Sequence, residues 1–310
     1  MMAEKKISIG GQALMEGIMM KGPESYSIAV RKPTGDIDIK VEPSGEVPFA
    51  KVPILRGIAS FFTSLSIGYK SLMRSAEISM ADEAEDDFDR WVKEHFGEKA
   101  GNVVTGIAGF LGAMLRLVLF MVLPTALTGL LDRFIPLGAF KALIEGLTKM
   151  AIFFLYLYLV SRMKEIRRVF EYHGAEHKTI HCFESGEALT VENVRKHTRF
   201  HPRCGTSFLF IVLAVSIVIF SFVPWKGTLS RALLKVLFLP VVVGVAYEIL
   251  RYTGTHDNAA CRVLARPGLW FQRLTTREPD DSMIEVAIAS VNAILPETAV
   301  TKTDDAGDRQ

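Results

Sequence analysis

The sequence predicts a mainly α-helical membrane protein: a four-span helical bundle with a small β-rich piece before it and a cytoplasmic helix after it. Hydrophobic residues make up 49% of the 310 residues, and the mean hydropathy is +0.26, above that of most soluble domains. These residues are concentrated in four segments, and basic residues cluster between the second and the third. The segments are residues 103–131, 138–160, 207–223 and 232–250. Each comes close to or exceeds the roughly 20 residues that cross a bilayer.

The N-terminal region, residues 1–52, is predicted to be β-rich and cytoplasmic. Residues 27–32 and 37–41 flank a Pro-Thr-Gly-Asp turn, and the second stretch alternates apolar and polar side chains, which is typical of a hairpin. Residues 10–17 are rich in glycine but match neither the Walker spacing nor the dinucleotide-binding fingerprint. Two interpretations of this stretch stay open: tight backbone packing and a ligand-binding loop.

Residues 53–100 are predicted to form interfacial or amphipathic helices followed by an acidic linker. From residue 53 to 81, apolar side chains recur over a wide helical face, with basic residues near its ends. This pattern suits a helix that packs on the bundle or lies at the membrane surface. The acidic run at 82–87 is predicted to be a solvated helix start or linker.

Residues 101–250 hold the predicted bundle, and the competing interpretation is a set of buried helices in a soluble protein. Arg116 interrupts the first segment, and Glu145 and Lys149 lie in the second, where charge is costly unless it faces protein or water. The third segment favours the membrane, because residues 207–223 include no charged side chain.

The orientation follows from the loop at 161–206, which is rich in lysine and arginine. Basic loops stay in the cytoplasm, so this loop and both termini are predicted to be cytoplasmic. The C-terminal region 251–295 is expected to include a helix from about 282 to 295, and residues 296–310 are expected to be a disordered tail. All three cysteines fall in predicted cytoplasmic parts, where they are expected to be free thiols or metal ligands.

The segment that carries chemistry runs from His173 to His177, with His181 one turn later. On a helix these histidines recur every four residues and project from one face, close enough for two of them to hold one metal ion. With Glu176 beside them, the order His-x-x-Glu-His is the inverted zinc-protease motif, in which the histidines bind zinc and the glutamate activates water. The alternative is a helix beside the membrane whose histidines face water or phosphate groups.

Further metal ligands are predicted outside this segment. His201 and Cys204 have a two-residue spacing that lets both reach one ion, and Glu248 lies at the cytoplasmic end of the fourth span. Imidazole and thiolate ligands favour zinc. With Glu176 as the catalytic residue, the predicted ligands are His173, His177, His181, His201, Cys204 and Glu248.

Separated blocks of the chain also carry a resemblance. They are residues 10–20, 172–179, 201–208, 267–270 and 275–279. These blocks resemble the signature sequences of the YqhQ family, multi-pass bacterial membrane proteins described as predicted metal-dependent enzymes. The resemblance spans roughly residues 7–290. It implies a bacterial membrane location, and it implies no substrate. The metal centre that it implies would involve the matched residues His173, Glu176, His177, His201 and Cys204.

Three functions follow as hypotheses. The first is a membrane-embedded zinc-dependent hydrolase that acts at the cytoplasmic membrane surface on a peptide, a lipid head group or a phosphoester. The second is a non-catalytic protein that assembles, chaperones or regulates other membrane proteins, with a structural metal or a polar histidine cluster. The third is a transporter in which Arg116, Glu145 and Lys149 line a polar path. The expected partners are the lipid bilayer and other membrane proteins. No basic patch interleaved with aromatic residues indicates nucleic acid.

Overall fold

The computed structural model describes residues 9–80, 107, 109–112, 114–223, 228–256 and 258–295. The chain forms two compact units. The first unit combines Met1–Ser79, Tyr158–Val215 and Val236–Gln310, and the second combines Met80–Leu157 and Ser216–Lys235. The acidic linker predicted at 82–87 and the tail predicted at 296–310 lie outside the described residues.

The first unit begins with a four-stranded antiparallel sheet in the order β1-β2-β3-β4. The strands are β1 (Gly10–Leu14), β2 (Gly17–Lys21), β3 (Ser25–Arg31) and β4 (Ile37–Pro43). The last two strands confirm the hairpin predicted at 27–32 and 37–41. The sequence pattern does not indicate the β1–β2 hairpin, because glycine at the start of both strands weakens the strand signal.

The remaining elements are helical. They are α1 (Leu55–Ser79), α2 (Leu123–Phe134), α3 (Lys141–Val160), α4 (Lys164–Ser185), α5 (Val191–Lys196), α6 (Gly205–Ser221), α7 (Thr228–Thr255), α8 (Ala259–Thr275) and α9 (Asp281–Asn292). A π-helical turn at Val118–Val122 leads into α2, and a 3-10 turn at Gly138–Phe140 leads into α3. Helices α1 and α9 confirm the two helices predicted outside the bundle, whereas α8 lies in the C-terminal region, for which the sequence specifies only the helix at about 282–295.

Both faces of the sheet are covered, which explains why β3 is buried over most of its length. On one face, Ile28 and Val30 form a core with Ile67 of α1. On the other face, Ile18 and Ala29 belong to the core that includes residues of α4 and α9. The sheet therefore forms the middle layer of the first unit, and α4 lies against β1 with its histidine segment.

Three of the described helices are long and apolar enough to cross a membrane: Gly109–Phe134, Lys141–Val160 and Leu233–Thr255. In their most apolar stretches, only 6%, 6% and 22% of the residues are buried, so most of this apolar surface is left for lipid or a partner. The predicted third segment corresponds to α6, an apolar helix of 17 residues that is shorter than the roughly 20 needed to span. The fold thus has three candidate spans, and the fourth stays a prediction.

The charges predicted to be costly inside the bundle are partly paired within the second unit. Glu145 is only 5% exposed and accepts hydrogen bonds from Lys235 Nζ at 2.6 Å and from Thr125 Oγ1 at 2.7 Å. This pairing gives a structural reason for a carboxylate in an apolar helix. It lends no support to a polar transport path.

Candidate metal centre

Helix α4 carries the histidine segment into the interior of the first unit. Its residues Tyr172, Ala175 and Ile180 belong to the core beneath the sheet. Gly174 lies against the carbonyl oxygen of Arg277, where the Cβ of any other residue would collide. The helix is therefore fixed between the sheet and the segment that follows α8, and its histidines contact the loop that precedes α6.

His173 and His177 are each held by a backbone carbonyl. His173 Nδ1 lies 2.8 Å from the carbonyl oxygen of Thr275, and His177 Nδ1 lies 2.6 Å from that of Arg199. Since a carbonyl oxygen only accepts, Nδ1 donates in both rings, and the lone pairs are left on the Nε2 atoms. Backbone partners of this kind orient histidines that bind metals through the other ring nitrogen.

Cys204 completes this arrangement. Its Sγ lies 3.2 Å from His173 Nε2, and it accepts a hydrogen bond of 3.4 Å from the backbone N–H of Thr206. Burial raises the pKa of Cys204, but the neighbouring His177 and Thr206 outweigh it, so the pKa lies below its usual range. The position of Cys204 just before α6 acts in the same direction, because a helix N-terminus favours the thiolate. The thiolate is the form that binds metals.

These three residues, called here the first group, have ligand atoms within 4.8 Å of one another. Nitrogen and sulfur ligands of tetrahedral zinc are about 3.5 Å apart, close to the separation of 3.2 Å between His173 and Cys204. His177 Nε2 is buried and has no hydrogen-bond partner among the described residues, which is uncommon for a buried polar atom. Burial also lowers the pKa of His177 and so favours the neutral ring. The first group therefore fits a metal ion such as zinc.

Glu176 lies between the first group and strand β1. It is 4% exposed, and its Oε2 has no hydrogen-bond partner among the described residues. A Cβ on Gly11 would lie 3.0 Å from the carboxyl carbon, so this close approach requires glycine. Burial and the nearby Cys204 raise the pKa of Glu176 to about 8, against the opposing effects of His173 and of a hydrogen bond from the Gly11 backbone.

An open cavity of about 450 Å³ adjoins these residues. Glu176, His177 and Cys204 form part of its wall, together with the glycine-rich strand β1, and Lys21 and Arg203 bring positive charge to it. The volume is in the range of small-molecule sites. The arrangement thus combines three potential ligands, an adjacent carboxylate and space for a substrate.

His181 and His201 belong to a second group, which they form with Glu184. His201 Nδ1 accepts a hydrogen bond of 3.3 Å from the backbone N–H of Arg203, so the ring proton resides on Nε2, 3.4 Å from Glu184 Oε2. Glu184 also pairs with the Arg203 side chain. His181 Nε2 donates to the carbonyl oxygen of Phe200 at 2.9 Å. The second group is therefore a hydrogen-bonded network in which Nε2 of His201 carries the ring proton and offers no lone pair.

Glu248, the remaining predicted ligand, belongs to none of the ligand groups among the described residues. Its carboxylate accepts a hydrogen bond of 2.7 Å from Arg56 Nε and one of 3.2 Å from the backbone N–H of Ile54. The side chain of Glu248 thus ties α7 to the start of α1 and is not brought to the histidines.

A third group consists of Cys182, Glu187 and His197. Burial raises the pKa of Cys182 to about 11, so its thiol stays protonated and is a poor ligand. His197 Nε2 lies 3.3 Å from the Glu187 carboxylate. Of the three groups, the first has the donor set best suited to a metal.

Several residues that shape the centre have no signal in the sequence. Gln272 of α8 is fully buried. Its amide accepts a hydrogen bond from the His201 N–H at 2.8 Å and donates one to the His201 carbonyl at 2.7 Å, which fixes the loop before α6. Gly11 and Gln272 act on residues far away in the chain, so local patterns do not reveal them. Glu184 was detectable, because it lies three residues after His181 on the same helix face.

Comparison with known proteins identifies the family. The family model described as "Protein of unknown function (DUF1385)" matches residues 52–297. The uncharacterized protein YqhQ of Bacillus subtilis (strain 168) is 35% identical over 291 residues, which cover 92% of this chain and 92% of that protein. No solved structure matches this chain. The chain therefore belongs to the YqhQ family, as its signature blocks predict.

Proposed function

We propose that this protein is a membrane-embedded, zinc-dependent hydrolase. His173, His177 and Cys204 would hold the metal, and Glu176 would act as general base. The observation that carries the proposal is the pair of buried atoms without hydrogen-bond partners among the described residues, Glu176 Oε2 and His177 Nε2. Both belong to residues that line one cavity, and a metal ion and a substrate would satisfy them.

The chemistry follows from the residues of the centre. Zinc held by two histidines and a cysteine would supply a Lewis acid that polarises a substrate oxygen and lowers the pKa of water. Three protein ligands leave a coordination position open, as in catalytic zinc sites. Glu176 is placed to take a proton from water in the cavity, because its Oε2 is unsatisfied and a cation held by the first group would lower its pKa from the raised value of about 8. Lys21, which lines the same cavity, would attract an anionic or polar substrate group.

The proposal includes the bilayer. The three candidate spans, with α6 as a shorter fourth, would insert the chain in the bacterial cell membrane, with the basic segment 161–206 and both termini in the cytoplasm. Cys204 directly precedes α6, so the metal centre would lie at the cytoplasmic membrane surface. A substrate would be a peptide, a lipid head group or a phosphoester that reaches this surface.

The alternative is a non-catalytic assembly or regulatory protein with a structural metal. A structural zinc site is closed by four protein ligands, whereas the first group offers three beside a cavity of about 450 Å³. The presence of Glu176 on the cavity wall also favours catalysis, since a structural centre does not require a base. The two functions make different predictions for this carboxylate.

The first experiment measures zinc by mass spectrometry in the full-length protein purified in detergent. We expect about one zinc per chain in the parent protein and almost none in Cys204→Ser. Cys261→Ser is the matched control, because Cys261 is also a buried free thiol but belongs to none of the three groups. A parent protein without stoichiometric metal would exclude the zinc enzyme.

The second experiment tests catalysis with an unstructured peptide, a fluorogenic phospholipid ester and an aryl phosphate. Glu176→Gln is expected to retain zinc and lower the rate on the accepted substrate by about 100- to 10,000-fold, the usual contribution of a general base. Glu165→Gln alters an exposed carboxylate of the same helix and is expected to leave the rate unchanged. Zinc binding by a parent protein that hydrolyses none of the three substrates would favour the structural role instead, and full activity in Glu176→Gln would show that Glu176 is not the general base.

A further inference from the structure

A second cavity, of about 610 Å³, opens beside the C-terminal end of α7. Its wall includes Arg203, Arg262, Arg266 and His256, and no acidic residue among the described residues lines it. We propose that this cavity binds the phosphate of an anionic phospholipid headgroup. The argument depends on the position of the cavity, its charge and the surface of α8.

The cavity lies where two apolar helices reach the same side of the first unit. Arg203 lies two residues before α6 begins. Residues 253–255 end the candidate span that ends at Thr255, and His256 follows directly. A headgroup lies at the level where a span ends. The cavity is therefore at the depth of lipid phosphates once α7 is inserted.

The charge of the cavity matches a phosphate. Arg262 and Arg266 are four residues apart on α8, so they lie on one helix face, and both are exposed. The stem of Arg203 packs on Gly254, where an added Cβ would lie 3.2 Å from its Cδ. Arg203 also pairs with Glu184, and Arg262 and Arg266 line the same cavity. Guanidinium groups bind phosphate through paired hydrogen bonds.

The surface of α8 favours a lipid over a free anion. Val263, Leu264 and Trp270 are exposed by 59%, 49% and 56%, although each is costly to leave in water. Trp270 and Val263 adjoin the arginine face on the helical wheel. Exposed tryptophan beside arginine is typical of helices that lie at a membrane surface. A free phosphate would leave these apolar side chains uncovered, whereas acyl chains would bury them.

The test is native mass spectrometry of the full-length protein in detergent, titrated with phosphatidylglycerol or with phosphatidylcholine of identical acyl chains. We expect the anionic lipid to bind more tightly. Arg262→Gln and Arg266→Gln should each weaken it about five-fold and the double variant about 25-fold, since each basic residue at an anionic surface contributes a factor of about five. The zwitterionic lipid should bind the parent and the variants equally.

Arg273→Gln is the matched control, because Arg273 is an exposed arginine of the same helix outside the cavity wall. An equal loss in this variant would point to a diffuse basic surface and overturn the assignment. Binding of inorganic phosphate that depends on Arg262 and Arg266, without preference for the anionic lipid, would overturn it in favour of a free anion. Unchanged gel filtration and zinc content of the double variant would show that any loss does not arise from misfolding.

Discussion

The first and second groups lie side by side along α4 but differ in what they can bind. The rings of His177 and His201, one from each group, have centroids 5.7 Å apart. In the first group, backbone carbonyls hold the Nδ1 protons of both histidines, and their Nε2 atoms face a thiol. In the second, a backbone N–H occupies Nδ1 of His201 and leaves the Nε2 proton facing Glu184.

The difference shows that histidine spacing alone does not define a metal ligand. His173, His177 and His181 have the same spacing, and the helix presents all three on one face. The backbone group that meets each ring decides which nitrogen carries the proton. In the first group, the Nε2 lone pairs of both histidines are thereby left for a cation. In the second, Nε2 of His201 donates its proton toward the carboxylate of Glu184, which Arg203 also neutralises.

One alanine substitution in each group tests most directly whether only the first group binds zinc. His177→Ala is expected to lower zinc affinity by more than about 100-fold, because loss of a ligand costs more than the 10- to 100-fold lost with an outer partner. His201→Ala should retain stoichiometric zinc, measured by mass spectrometry and competition with a chelator. The two rings are similarly buried, at 1% and 4% exposure, so packing losses are matched. Equal zinc loss in both variants would place the metal between the groups.

Glu176, beside the first group, and Glu184, in the second group, should affect stability with opposite pH dependence in zinc-free protein. The folded-state pKa of Glu176 is raised to about 8, so the folded state holds a proton that the unfolded state releases above about pH 4.5. Its contribution to the free energy of unfolding therefore falls as the pH rises from about 5 to 8, by at most about 1.4 kcal/mol per unit.

Glu184 provides the opposite case. Burial alone would raise its pKa, but His201 and Arg203 outweigh burial and lower it. Its stabilising contribution is thus present above the unfolded-state pKa and is lost as the pH falls through the folded-state value. Thermal unfolding of the chelated parent, Glu176→Gln and Glu184→Gln between pH 3 and 8 measures both effects as differences from the parent, with the Glu184 effect below about pH 4.5 and the Glu176 effect above it. Slopes of the same sign in the two differences would contradict the assigned environments.

The close approach of β1 to Glu176 gives a smaller effect. In Gly11→Ala the new Cβ would lie 2.6 Å from the Met19 carbonyl oxygen and 3.0 Å from the Glu176 carboxyl carbon. We expect a loss of about 1–3 kcal/mol in unfolding free energy, as for other overpacked sites. Gly10→Ala is the control, since nothing lies within 4 Å of its added Cβ. Chemical unfolding in detergent should show no loss for Gly10→Ala, and a similar loss in both variants would contradict a specific contact with Glu176.

The elements with strong periodicity were predictable from the sequence. The β3–β4 hairpin, α1, α9 and the apolar helices follow from alternation, helical spacing and long uncharged runs. The β1–β2 hairpin was not predictable, because its glycines are selected by contacts such as that of Gly11 with Glu176. The sequence also specified no bounds for helix α8. This helix has Pro267 in its interior, a residue that usually ends or kinks a helix.

The candidate centre was predictable only as a set of residue types. The sequence predicted His173, His177 and Cys204, which the fold brings together in the first group. It also predicted His181 and His201, which the fold brings together with Glu184 in the second group, and Glu248, whose carboxylate binds Arg56 and the Ile54 N–H. Whether a histidine leaves Nε2 free for a metal depends here on the backbone carbonyls of Arg199 and Thr275. Every residue has a backbone carbonyl, so the sequence does not reveal which carbonyl meets which ring. Tertiary structure is therefore needed to separate a metal ligand from a hydrogen-bonded histidine.

The smallest expected effect concerns the partner of the thiolate. The Thr206 hydroxyl lies 3.2 Å from Cys204 Sγ, and in Thr206→Val this contact is lost while the backbone N–H still donates to sulfur. Zinc affinity should fall by about ten-fold, at the lower end of the effect of outer partners. Thr206→Ser keeps the hydroxyl and should restore most of the affinity in the same chelator competition. If the valine and serine variants bind zinc equally well, the hydroxyl does not stabilise the thiolate. The backbone N–H of residue 206 and His177 must then do so alone.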